Sequence, residues 1–267
     1  MGNVTGMDAT LDAVAALIGK AEKPLFITGA GISADSGLPT YRGVGGLYDG
    51  NLTAEGISIE EALSGRMLAA RPEVTWRYIG EIEANCRGAG PNDAHRVIAA
   101  LERDKPGLWV LTQNIDGLHR AAGSNKLIEI HGTIHRLSCT ACDYTKKVTD
   151  YDGMNLPPSC PACGRLLRPE VVLFGEMLPE EAIAQLSKVL EADPDLVVTI
   201  GTTSVFPYIA GPVWRASQRG IPTVEINPGE SEVSSIVTHR LKLGAGAAMR
   251  ALWARLHPDR TFQLFGD

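Results

Sequence analysis

The sequence predicts an α/β fold, a doubly wound parallel sheet joined to a smaller second domain, and three observations carry that prediction. Short apolar runs of strand length alternate with amphipathic helical patterns along most of the 267 residues. The first run, "PLFIT", ends at once in Gly29-Ala30-Gly31 with Ala34 three residues on. In doubly wound sheets that turn lets backbone approach a pyrophosphate and aims N–H groups at it. Two stretches, 43–88 and 133–167, break the alternation, and the second holds two Cys-x-x-Cys pairs.

Taken in order, residues 8–20 place Leu11, Val14, Leu17 and Ile18 at helical spacing, and Pro24 opens the first strand. Further strands are expected at 108–112 (LWVLT), 195–200 (DLVVTI), 222–227 (PTVEIN) and 240–244 (RLKLG). Helices are expected at 92–103, 180–191, 209–219 and 247–256. The stretch 43–88 starts as a glycine-rich loop and continues as helices around Leu63, Met67, Val74, Tyr78 and Ile82, interrupted at Arg71-Pro72. The large, Rossmann-like domain is therefore assembled from 8–42, 89–132 and 168–262. A helical insertion at 43–88 and a zinc-ribbon insertion at 133–167 form the small one, with the ligand cleft between it and the carboxyl ends of the strands.

Composition narrows the function. With 44% apolar residues the chain buries a real core. Its 31 acidic against 25 basic residues leave a net charge of −6, which argues against nucleic acid or an anionic membrane as partner and favours a small molecule or basic peptide. No run approaches about 18 apolar residues and the N-terminus lacks a signal-peptide pattern, so a cytoplasmic location is expected. Cys139-Thr-Ala-Cys142 and Cys160-Pro-Ala-Cys163, with 17 residues between them, have the spacing of a four-thiolate zinc ribbon. Four thiolates close the coordination shell, so one zinc ion would hold a core-poor segment together and activate no water. The fifth cysteine, Cys86, reads as a small hydrophobe.

The Gly29-x-Gly31 turn alone is weak, since such glycines also mark ordinary turns, and the acidic residue that nicotinamide dehydrogenases place about 20 residues downstream is missing. Other segments strengthen it. "TQNIDG" (112–117) puts the amides of Gln113 and Asn114 and the carboxylate of Asp116 at a strand's carboxyl end, donors and acceptors suited to a carboxamide and a ribose. "GTTS" (201–204) and "INP" (226–228) also follow strands. His131, in "LIEIHGT", ends an apolar segment before a glycine. A lone histidine is commonly structural, but at a strand end facing a nucleotide crevice it is a candidate general base for a ribose hydroxyl.

Together "GAGISADSGLPTYRG", "TQNIDGLHRAAG", "EIHGT", the paired Cys-x-x-Cys motifs, "RPEVVLFGE", "GTT" and "INP" resemble the sirtuin family of NAD-dependent protein deacylases, in family order from about residue 24 to 246. The resemblance implies that NAD is consumed as a co-substrate and is no hydride carrier. It implies Gly29, Ala30, Gly31, Ile32, Asp35, Tyr41 and Arg42 around the diphosphate and nicotinamide ribose, and Gln113, Asn114, Ile115 and Asp116 around the nicotinamide. Gly201, Thr202, Thr203, Asn227, Pro228 and Ala245 would hold the adenosine half. His131 would be the base, with Asn114 and Asp116 also catalytic, and Val171, Val172, Leu173, Phe174, Gly175 and Glu176 would pair as a strand with an acyl-lysine peptide. The products would be nicotinamide, 2′-O-acyl-ADP-ribose and free lysine. An ADP-ribosyltransferase or NAD hydrolase using the same site is the alternative, and a non-enzymatic NAD-binding scaffold is a third.

The chain departs from the family pattern in three places: Tyr41 stands for the usual phenylalanine, Thr203 for serine, and the proline of "SVFP" comes one residue early. Sirtuins that prefer succinyl- or malonyl-lysine carry a Tyr-x-x-Arg pair on a small-domain helix. Here that helix reads "EVTWRYIGEIEANC" (73–86), and Tyr78 leads to Glu81. Arg77 and Tyr78 are adjacent, about 100° apart around a helix, so they are not expected to meet on one carboxylate, and Glu81 and Glu83 would repel an acyl carboxylate. Unless Arg66 or Arg71 fills the role, small neutral acyl groups, acetyl and then propionyl or butyryl, are expected over succinyl.

Overall fold

The computed structural model describes residues 2–40 and 52–259, so Tyr41, Arg42 and the glycine-rich loop lie outside the described residues. Helix α1 (Gly2–Lys20) leads into β1 (Pro24–Thr28), whose five residues are all buried, as a strand covered on both faces requires. A six-stranded sheet follows in the order β3-β2-β1-β7-β8-β9, with β2 (Trp109–Thr112), β3 (Leu127–Glu129), β7 (Leu196–Ile200), β8 (Thr223–Ile226) and β9 (His239–Leu241), all neighbours parallel. On one face α1, α5 (Asp93–Asp104) and α9 (Ala245–Leu256) bury Val14, Ile18, Val97, Ile98, Met249 and Leu252. On the other, α7 (Glu180–Glu191) and α8 (Pro207–Gln218) bury Leu186, Val189, Ile209 and Val213.

From β1 the chain builds outward to β2 and β3, then returns to build β7, β8 and β9 on the other side. The order reverses between β1 and β7, and a crevice opens beyond their carboxyl ends.

A second cluster packs three helices, α2 (Ile59–Ala62), α3 (Gly65–Ala70) and α4 (Pro72–Cys86), against a three-stranded antiparallel sheet of β5 (Thr145–Lys147), β4 (Gly132–Cys139) and β6 (Leu167–Val171). The break at Arg71-Pro72 is present, with Pro72 at the first position of α4, where its missing N–H costs nothing. Trp76 is fully buried at the centre of this cluster, and its indole N–H donates to Leu167 O at 3.0 Å.

Two local expectations change. The residues after Gly29 form a short 3-10 helix, Ala30–Ser36, closed by Gly37 at φ 83°, and not the α-helix of a dehydrogenase turn. Residues 168–171, expected with the large domain, pair with β4 in the small sheet. Among the described residues no helix is long and apolar enough to cross a membrane.

Candidate active site

Two turns interlock at the crevice. Gly31 N donates to Gly201 O at 2.8 Å, and Gly29 N to Ile200 O at 3.1 Å. A Cβ on Gly31 would fall 2.6 Å from Gly201 Cα, and one on Gly201, where φ is 59°, would fall 2.4 Å from Gly31 C. Neither position tolerates a side chain.

Around this contact lies a cavity of about 450 Å³, within the range of small-molecule sites. It gathers most of the residues expected from the sequence: Gly29, Ala30 and Gly31; Gln113, Asn114 and Ile115; His131; Val171 to Glu176; Gly201, Thr202 and Thr203; and Asn227. Asp116 opens instead onto a side recess with Ala30, Ser33, Asn114, Ile115 and Cys86. Cys86 packs against the small domain's apolar cluster as expected of a small hydrophobe, at the edge of this recess, and burial pushes its thiol up to about 12, so it stays protonated there.

Four expected residues line neither space. Ile32 and Ala245 are buried in the core below the turn, and Pro228 follows Asn227 outside the cavity wall. Asp35 accepts from Gly246 N at 2.8 Å, tying the 3-10 helix to the N-terminus of α9.

Side chains at the strand ends bind one another. Asn114 Nδ2 donates to Gly29 O (3.1 Å) and Ser33 Oγ (3.2 Å), and its backbone N to Thr112 Oγ1 (3.1 Å). Asp116 accepts from Ser33 Oγ at 2.7 Å and Leu118 N at 3.0 Å; burial raises its pKa against those two donors. Gln113 Nε2 donates to Thr202 Oγ1 at 2.8 Å, and Asn227 Nδ2 to Thr202 O at 3.2 Å.

His131 stands between β3 and β4 with both nitrogens engaged. Nδ1 lies 3.1 Å from Gln113 O, an acceptor only, so Nδ1 carries the proton. Nε2 then presents its lone pair, and Tyr208 Oη lies 2.7 Å away as the donor. Burial holds the ring's pKa below 6.5, against the opposing pull of the Gln113 carbonyl, so it is a neutral base at pH 7.

The segment 171–176 bridges the two clusters: Val172 N donates to His131 O (2.9 Å), Phe174 N to Leu63 O (2.9 Å), and Gly65 N to Phe174 O (3.1 Å). Glu176 is fixed by Arg168 through two bonds of 2.6 and 2.8 Å and by Leu173 N at 2.9 Å.

Helix α4 corrects one expectation. Arg77 and Tyr78 do converge on one carboxylate, that of Glu55, because Glu55 approaches from the neighbouring loop and its two oxygens span the gap. Both are thereby engaged away from the cavity, to which α4 contributes Ile79 and Ile82. Glu83 is buried against Arg87 at 2.6 Å, Arg66 pairs with Glu61 and Arg71 with Glu73, so none of these faces the cavity. Among the described residues no lysine or arginine lines it.

Sequence reasoning missed Tyr208, Phe206, Ile79 and Ile82 as cavity residues. For Tyr208 a signal existed, since the early proline of "SVFP" starts α8 at Pro207 and leaves the next residue in the first turn of the helix that follows β7, where it lines the cavity.

The sulfurs of Cys139, Cys142, Cys160 and Cys163 all lie within 4.8 Å of one another, with Cys139–Cys163 at 3.4 Å and Cys142–Cys160 at 3.7 Å. A tetrahedron with Zn–S of about 2.3 Å requires S···S of about 3.8 Å, so the cage fits zinc. None of the four lines the cavity.

The model of the Sir2 family matches residues 29–207. The chain is 52% identical over 227 residues to the NAD-dependent protein deacylase 2 of Pseudomonas aeruginosa, covering 84% of this chain and 88% of that protein. It is 51% identical over 235 residues to the protein of the same name in Pseudomonas syringae pv. tomato, covering 87% and 94%. Among solved structures, a Sir2 homologue–NAD complex superposes with a TM-score of 0.82 at 34% identity, covering 92% of this chain and 93% of that one. A Sir2–p53 peptide–NAD+ complex gives 0.77 at 30% identity, covering 89% and 95%.

Proposed function

The chain belongs to the Sir2 family, and from that premise we propose that it removes acyl groups from protein lysines at the expense of NAD. The products are nicotinamide, 2′-O-acyl-ADP-ribose and free lysine. One observation carries the reading: a neutral imidazole, its Nε2 accepting from the Tyr208 phenol, shares one cavity with the glycine turn and the segment 171–176.

The first turn and Gly201 to Thr203, which have no bulky side chain at their contact, let the dinucleotide lie close against the backbone, Asn227 supports its adenosine half, and Asn114 and Asp116 receive the carboxamide in the side recess. Ile32, Asp35, Pro228 and Ala245 act beneath these contacts by fixing the turns. Tyr41 and Arg42 complete the nicotinamide-ribose side. Segment 171–176 takes the acyl-lysine peptide as an added strand and aligns the amide oxygen with the sugar carbon that nicotinamide leaves. His131 then takes a proton from a ribose hydroxyl.

The small domain, the 43–88 and 133–167 insertions together with residues 168–171 of its third strand, faces the cleft, and one zinc ion on the four cysteines holds its sheet together. Ile79 and Ile82, in a cavity that no lysine or arginine lines among the described residues, favour acetyl, propionyl or butyryl over succinyl. Four reduced cysteines in one cage agree with a cytoplasmic protein.

Nicotinamide release measured with NAD alone, with acetyl-lysine peptide and with succinyl-lysine peptide tests the whole reading. Rapid release only with acetyl peptide is expected. Peptide-independent release would identify an NAD hydrolase, label on the peptide an ADP-ribosyltransferase, and a succinyl kcat/KM at or above the acetyl value would remove the acyl preference.

A further inference from the structure

A neutral imidazole with its Nδ1–H committed to Gln113 has a single lone pair left, and in this protein the Tyr208 phenol fills it. The phenol is held by its surroundings. Tyr208 is the second residue of α8, directly after Pro207, whose ring fixes the helix start. Its ring stacks on Phe206, centroids 5.3 Å apart and planes 9° from parallel, and both rings meet the imidazole edge-on at 5.8 Å. The loop leading into α8 begins at Gly201, which is locked against Gly31. A ribose hydroxyl in need of the base must either displace this phenol or pass its proton through it. Displacement would break the stack of the phenol on Phe206; passage moves no heavy atom of the protein. Tyr208 also lines the cavity, on the same wall as Thr203 and Phe206.

We propose that Tyr208 is a further catalytic residue, its phenol interposed between the ribose hydroxyl and His131 as a proton relay. This rests on the deacylase activity proposed for the site. The ribose O–H bond breaks and its proton bonds to the phenol oxygen, while the phenol's own proton bonds to His131 Nε2. The electron pair left on the ribose oxygen forms the new bond to the acyl carbon, already joined to the sugar through its amide oxygen, while the C=N π pair moves onto the lysine nitrogen and the C–N bond breaks as the amine leaves. The phenol is neutral before and after, the imidazolium keeps its Nδ1–H on Gln113 O, and the departing lysine amine takes up one proton, which balances the one gained by His131.

Tyr208→Phe in the full-length protein keeps the ring and its stack and removes only the hydroxyl. With NAD and an acetyl-lysine peptide, kcat for deacylated peptide is expected to fall about 10- to 100-fold, toward the lower range for loss of a proton-transfer group, with both KM values within about 3-fold. In a single turnover, nicotinamide appearance precedes the base step and changes much less than deacylated-peptide appearance. A variant in which both steps slow together would make Tyr208 merely structural, and one with wild-type or higher kcat would make the phenol a displaced placeholder; either overturns the relay. The wild type supplies a test free of folding effects: a relay moves two protons at once, so kcat against deuterium fraction bows downward, and a straight line overturns it. If the wild type shows no peptide-dependent nicotinamide release, the deacylase reading itself fails, an outcome distinct from an active wild type unaffected by Tyr208→Phe.

Discussion

His131 touches a carbonyl on one side and a phenol on the other, and those two oxygens decide its tautomer and its use. His131→Ala should lower acyl-peptide turnover by about 10²- to 10⁴-fold with little loss of stability; activity within a few-fold of wild type would remove it from the mechanism. Because burial depresses its pKa, the acid limb of kcat/KM should lie below pH 6.5. Two other histidines report on stability. His95 and His119 are buried edge to edge, centroids 4.8 Å apart; burial lowers His95 to about 4 and His119 well below 6.5. Between the folded and unfolded pKa values the unfolded chain binds more protons, so stability present above pH 6.5 is lost as pH falls toward 4. From His95 alone the loss by pH 5 is about 2 kcal/mol. His95→Asn, which keeps an acceptor for the Asn92 N–H, should flatten the fall of Tm between pH 7 and 5; an unchanged slope would exclude His95 as its source. At this scale the sequence was informative where residue type and strand end coincide, as at His131 and Asn114. It misled where a partner arrives from elsewhere: nothing in residues 73–86 announces that Glu55 will join Arg77 to Tyr78.

Elements were legible in proportion to their periodicity. The amphipathic α5, α7 and α9 and the apolar β1 and β7 fall within two residues of the boundaries expected for them, because one pattern of burial fixes each. The 3-10 helix and the placement of β6 were not, since the first depends on the Gly31–Gly201 contact and the second on pairing with a strand about thirty residues earlier. The cysteine cage was readable because four ligands at fixed spacing need no tertiary context. Metal analysis should return one zinc per chain, and chelation should unfold the β5-β4-β6 sheet, with Trp76 fluorescence shifting red as its pocket opens; full retention of that signal in metal-free protein would deny zinc its structural role. On α4, Ile82→Arg brings a guanidinium to the cavity wall and should raise the succinyl-to-acetyl ratio of kcat/KM at least about tenfold, the worth of about 1.4 kcal/mol. An unchanged ratio would mean that the acyl end does not reach this helix.

For the molecule as a whole, the doubly wound class was readable from the alternation of elements, while the strand order, and with it the reversal between β1 and β7 where the crevice opens, came from the pairing of the strands. How the two clusters share the segment 171–176 was not, because its hydrogen bonds to Leu63, Gly65 and His131 join parts of the chain far apart in sequence. The interlocked glycines expose a weakness of any site assembled from distant turns. A Cβ on Gly31 would strike the backbone of Gly201, and one on Gly201 the peptide joining Gly31 to Ile32, so the nearest atoms met are backbone in both cases. Gly201→Ala should accordingly leave little folded, NAD-responsive protein, and an alanine variant with wild-type Tm and turnover would refute this. In genetic terms such a lesion has no second-site suppressor: no exchange elsewhere can trim a peptide bond that every amino acid shares. A selection for regained function starting from Gly31→Ala or Gly201→Ala should return true revertants at the same codon, making the pair a locus where drift is silent in neither member and compensation is open to none.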